Sequence, residues 1–126
     1  MSFETDIITK LGPVFGNRIY FDTTPDNWKV SDRLAPFCLV NGTGGSEALY
    51  VDNTQHDKLN TVLQFSIWGS KRIAVSEAAR TLATTIAAAN TSDFIAWPES
   101  AAVSDWDDVL KLRGSRQSFS FWYLNQ

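Results

Sequence analysis

Cysteine and histidine are almost missing from this chain: Cys38 and His56 are its only examples. One cysteine forbids a disulfide within the chain, and one of each cannot build the usual Cys/His zinc site. An excess of positive charge is missing too. Lys and Arg total 11 against 14 Asp and Glu, a net charge of −3. That balance argues against a free-standing nucleic-acid binder, which carries a basic face or stripe. It also argues against attraction to an anionic membrane surface. No stretch approaches the ~20 apolar residues that a membrane span needs. There is no internal repeat, low-complexity tract or linker. Met1 to Asp6 is acidic and shows no secretory-signal pattern, so the expected site of synthesis and action is a cytoplasm. Asn41-Gly42-Thr43 and Asn90-Thr91-Ser92 match a glycosylation sequon, and without such a signal both are read as chance matches.

What is present fits one domain. The 126 residues are 44% apolar and 20% charged, as in an ordinary globular protein. Aromatic residues are abundant: five Trp, eight Phe and three Tyr. One small core does not need so many rings, and aromatic side chains are enriched where proteins meet.

Hydrophobic periodicity gives the elements. Phe3, Ile7, Ile8 and Leu11 share one face of a short helix that Gly12-Pro13 stops. Arg18 to Phe21 reads as a short strand. Asp22 to Pro36 is a long polar connection carrying Trp28, of a length that is usually functional or mobile. Phe37 to Val40 and Ala48 to Val51 read as strands joined through Asn41-Gly42-Thr43-Gly44-Gly45. Leu59, Leu63, Phe65 and Ile67 alternate with polar residues in a strand that runs to Trp68. A helix follows from Ile73 to Ala89, with Val75, Ala79, Leu82 and Ile86 as its apolar stripe. Its seven alanines keep it slim. Phe94 to Trp97 is a short strand broken by Pro98, and Ser104 to Asp108 reads as an acidic loop. Gln117 to Leu124 is a second strongly alternating strand.

These elements predict an α+β fold: an antiparallel sheet of about five strands with two helices packed on one face. Leu59, Leu63, Phe65, Ile67, Phe119, Phe121 and Tyr123 would be covered. Val62 and Trp68 from one strand, with Trp122 and Leu124 from the other, would lie on the opposite face. Two readings of those four residues stay open. Loop residues such as Trp28 or Trp106 fold over them, or they meet another subunit.

Convergent catalytic groups are scarce. His56, in a polar turn beside Gln55 and Asp57, reads as a solvated loop residue. Cys38 lies in an apolar strand and reads as a small buried hydrophobe, since a nucleophilic thiol needs an electropositive, partly exposed site. The Gly42-to-Gly45 loop lacks the Gly-Lys-Ser/Thr ending of a phosphate loop and precedes a strand. Asp105, Asp107 and Asp108 lack the spacing and closing Glu of an EF-hand. Lys71, Arg72, Lys111, Arg113 and Arg116 form basic clusters suited to acidic surfaces on neighbouring proteins. No cofactor, metal or enzymatic activity is expected.

Several segments, taken in order, resemble the tail-completion proteins of long-tailed bacteriophages, also called tail terminators or head–tail joining proteins. They are Asn17 to Tyr20 followed by Pro25, Ala35 to Val40, Val62 to Trp68 running into Ser76 to Ala83, and Arg116 to Tyr123. The chain departs from the pattern in its longer Asp22–Pro36 connection and in Trp97–Trp106. The resemblance implies a virion protein of the tail–neck junction, assembled in the host cytoplasm. It implies a homo-oligomeric, hexameric ring that ends the tail tube and joins the head. The implied partners are copies of itself, the tail tube protein and neck, stopper or connector proteins, with DNA only as passing cargo and no membrane. Val62, Trp68, Trp122 and Leu124 become subunit-interface candidates. Gly42, Gly44, Gly45, Gln55 and His56 become loop candidates facing a partner or the channel. Another neck component, such as a stopper or minor tail protein, is the near alternative. A small α+β enzyme or ligand-binding domain is the distant one.

Overall fold

The computed structural model describes residues 3–42, 58–88 and 94–124. Helix α1 spans Phe3–Leu11 and tightens into a 3-10 turn over Gly12–Phe15. Pro13 suits this transition, since it lacks an N–H and fixes φ near a helical value. Gly16 and Asn17 then both take left-handed backbone conformations, with φ of 59° and 64°, and turn the chain into strand β1, Ile19–Phe21. Strand β2 is Phe37–Gly42 and β3 is Lys58–Gly69. Helix α2 is Arg72–Ala88, followed by β4 at Phe94–Pro98, β5 at Val103–Asp107 and β6 at Leu112–Leu124.

The α+β architecture expected from the sequence is the one observed. Six strands form one sheet among the described residues, in the order β1-β2-β3-β6, with β4 and β5 both paired to β6. All pairs are antiparallel except β1–β2, which is parallel. The long β3 and β6 make the central ladder, with Leu63 opposite Phe119 and Thr61 opposite Phe121. Strands β4 and β5 lie end to end along the outer edge of β6. Between them, Glu99 to Ala102 bulge outward, and the Glu99 N–H still donates to the Ser118 carbonyl at 2.9 Å.

Both helices cover one face. Cys38, Val40, Leu63, Phe65, Ile67, Phe119 and Phe121 are buried there against Ile7, Leu11, Phe15, Val75, Leu82 and Ile86. Phe65 stands edge-on to Phe119, with ring centroids 5.7 Å apart. Each such ring contributes about 1.5–3 kcal/mol by leaving water.

Three expectations change. Ser104 to Asp108 is not an acidic loop, because Val103–Asp107 is strand β5. An edge strand exposed on both sides tolerates acidic residues, and these ones pair or cap: Arg116 meets Asp105 at 3.7 Å. Strand β6 begins at Leu112, five residues before the expected Gln117. The Asp22–Pro36 connection is well tethered. The Arg18 guanidinium donates to the carbonyls of Asp32, Ala35 and Pro36. Val30–Arg33 forms a 3-10 turn, and the Ser70 hydroxyl and N–H both donate to the Leu34 carbonyl. The proposed strand Ala48 to Val51 lies outside the described residues.

Candidate functional site

The face of the sheet away from the helices is the candidate site. Side-chain alternation places Tyr20, Phe37 and Leu39 on it at the β1–β2 side. Val62, Gln64, Ser66 and Trp68 follow on β3, and Arg116, Ser118, Ser120 and Trp122 on β6. Strand register then adds two residues the sequence reading did not assign to this face. Ile95 sits opposite Trp122, and Trp97 opposite Ser120, while Val62 flanks Ser120 from the other side. Ile95 is 48% exposed and Trp97 47%, and Val62 and Trp122 are half-buried. The four make one apolar corner. Ser120 between them is buried, and the Asn60 amide donates to its hydroxyl at 2.8 Å. The signal for Ile95 and Trp97 was present as alternation with Phe94 and Ala96. An all-apolar run does not say which set faces out.

Trp68 has a different setting. It pairs with Gly114 across the ladder, and its indole lies over that glycine, where an added Cβ would come within 2.7 Å of the ring. Trp28 does fold over the face, but at the β1 side. It stands edge-on to Tyr20 at 5.5 Å and to Phe37 at 4.9 Å, and Arg18 lies over its ring at 5.3 Å. Trp106 goes elsewhere: the Arg113 guanidinium stacks on it at 4.3 Å. So a loop ring covers one end of the face and leaves the Trp122 corner open. Leu124 ends β6 opposite Lys58. Gly42 closes β2 opposite Leu63 and is exposed. Gly44, Gly45, Gln55 and His56 lie outside the described residues.

The chemical candidates among the described residues have local explanations. Cys38 is buried, and desolvation pushes its thiol far above the usual range, so it stays protonated. The Asp105 carboxylate accepts from the Trp106 N–H at 2.9 Å, and Asp107 accepts from the Val109 and Leu110 N–H groups at 3.0 Å each. Asp108 pairs with Lys111 at 3.2 Å. No group of three or more His, Cys, Asp or Glu gathers as metal ligands among the described residues. The cleft at the start of α2 is lined by Ser70 to Ala74, Glu77 and Arg113, a basic rim with a single carboxylate.

No protein-family model matches the chain, and no curated protein matches it. Among solved structures, a chain from the virion of a native gene transfer agent particle superposes with a TM-score of 0.60. The match covers 91% of this chain and 84% of that chain at 14% identity. A second solved chain superposes over 99% of both chains, with a TM-score of 0.48 and 9% identity. At 14% identity the likeness to the virion chain is one of fold.

Proposed function

We propose that this chain is a structural virion protein of a long-tailed bacteriophage, the terminator of the tail tube. Copies assemble into a hexameric ring that ends the tube and presents a surface to the neck. The observation that carries this reading is the fold shared, over nine-tenths of the chain, with a component of a gene transfer agent virion. The ordered sequence resemblance to tail-completion proteins supports the same assignment. The open apolar corner around Trp122 supplies a place for subunit contact. A head-to-tail ring joins two different patches on each subunit, so a sheet face and a loop both take part. Of the sheet-face candidates, Val62, Trp122 and Leu124 are assigned to the contact patch, while Trp68 supports it from its place over Gly114. Gly42, Gly44, Gly45, Gln55 and His56 are assigned to the tube, channel or neck side. The role is mechanical and uses no catalytic residue.

The test is to add purified chain to tail tubes that lack a terminator and image them by electron microscopy. The expected result is a six-fold ring at one tube end, with native mass spectrometry giving six copies. Tubes that stay uncapped, with the chain located elsewhere in the neck of the assembled particle, would overturn the terminator reading in favour of a stopper-like one.

A further inference from the structure

Lys71, Arg72 and Arg113 line the cleft at the start of α2, against the single carboxylate of Glu77. Neither Lys71 nor Arg72 forms an ion pair with a described acid, and the Arg113 guanidinium lies on the Trp106 ring. Ile73 also lines the cleft and is 74% exposed, an apolar side chain set among cations. Neighbouring cations repel one another, and an acidic occupant turns that repulsion into attraction.

The chain itself carries a matching sequence. Residues 43–57 hold Glu47, Asp52 and Asp57 and no Lys or Arg, and Glu47 and Asp52 bracket the run Ala48-Leu49-Tyr50-Val51. Acid, apolar run, acid is the complement of cations around an exposed isoleucine. The other acidic run, Asp105 to Asp108, is already engaged by its own pairs and caps. Reach decides which copy supplies the occupant. The cleft follows Gly69, the last residue of β3, whereas residues 43–57 rejoin the fold at Lys58, the first residue of that strand. The strand holds these two ends about 36 Å apart. The chain from Tyr50 to Lys58 extends at most about 28 Å. The apolar run of one copy therefore falls short of that copy's own cleft.

We infer that Glu47 to Asp52 of one copy docks in the α2 cleft of a neighbouring copy, its carboxylates toward Lys71, Arg72 and Arg113 and its apolar run against Ile73. This rests on the ring reading and names one of the contacts within the ring. It joins two different patches, as a head-to-tail ring requires. It leaves Val62, Trp122 and Leu124 to the sheet-face contact. Gly44, Gly45, Gln55 and His56 fall outside the docked run and keep their assignment to the tube, channel or neck side.

A fluorescent peptide of residues 43–57, titrated into the full chain, tests the contact directly. It should bind with a Kd of about 100 µM. Raising salt from about 50 to about 300 mM should weaken binding several-fold, because exposed charges are screened. Lys71→Glu with Arg72→Glu should abolish binding while keeping the wild-type circular dichroism spectrum. The same variant should bind a peptide carrying Glu47→Lys and Asp52→Lys. A wild-type chain that ignores the native peptide, or binds a scrambled peptide of the same composition equally well, would overturn the inference. In the full chain, Lys71→Glu with Arg72→Glu, and separately Glu47→Lys with Asp52→Lys, should each reduce tube capping at least tenfold, and an equal mixture of the two should cap again. Normal capping by either variant alone sinks the inference and leaves the terminator role standing. A wild-type chain that binds the peptide but never caps tubes sinks the terminator role and keeps the contact.

Discussion

At the scale of single residues, the two tryptophans grouped together by the sequence pattern separate. Trp68 lies across Gly114, where no side chain competes for the space. Its indole is thus part of the fold. Gly114→Ala would push a methyl into that ring at 2.7 Å and should cost about 1–3 kcal/mol in urea unfolding, as overpacking does. Trp68→Ser should cost about 1–2 kcal/mol by leaving the strip above Gly114 unfilled. The alternation of Trp68 with Ile67 was legible from the sequence. Its glycine partner was not, because Gly114 stands 46 residues away and only register joins them. Cys38 was legible: an apolar strand implied a buried thiol, and burial holds that thiol protonated. Native chain should resist maleimide labelling at neutral pH and react on unfolding. Stability should also fall as pH rises past about 8.5, the value for a free thiol. There the unfolded chain releases a proton that the buried thiol keeps, so the unfolded state binds fewer protons and gains.

Elements with a strong period were readable as to which face they bury, and short ones such as β1 and β4 only as to their existence. Strand β3 and helix α2 emerge close to their observed bounds, and β6 over its alternating second half, because burial on one face imposes period two or 3.6. Strand β1 was read at its place, but it is three residues long and parallel to β2 where an antiparallel sheet was expected, too short to reveal its direction. Strand β5 was concealed by its acidic residues, which an edge position permits. The Asp22–Pro36 connection shows the same limit. Its order depends on Arg18, which reaches three backbone carbonyls and the Trp28 ring, contacts that no local pattern encodes. Arg18→Ala should therefore destabilise the chain by about 2 kcal/mol, since hydrogen bonds from a charged donor are among the stronger ones. Hydrogen exchange should quicken across residues 22–36 more than elsewhere. Arg18→Lys should recover only part of the loss, because an ammonium cannot match the planar guanidinium fork. Uniform exchange in Arg18→Ala would mean that the connection is held by other contacts.

For the whole molecule, the question is where cohesion within the chain ends and adhesion between chains begins. The helix-covered face holds the fully buried phenylalanines, so stability resides there. The Trp122 corner keeps Ile95 and Trp97 about half exposed, so little of their transfer free energy is collected in a lone chain. Changes at this corner should therefore separate the two properties. Trp97→Ser with Trp122→Ser should leave the melting temperature within a few degrees of wild type, because neither ring belongs to the helix-covered core. Under the proposed terminator role the same double variant should cap tail tubes poorly, since central aromatic anchors carry most of an interface's binding energy. Occupied tube ends counted by electron microscopy at fixed protein concentration should fall at least tenfold. Trp68→Ser provides the contrast, losing stability first and capping only as folded chain becomes scarce. A double variant that unfolds would place Trp97 and Trp122 in the cohesive part of the molecule. One that stays folded and caps normally would move the subunit contact off this face.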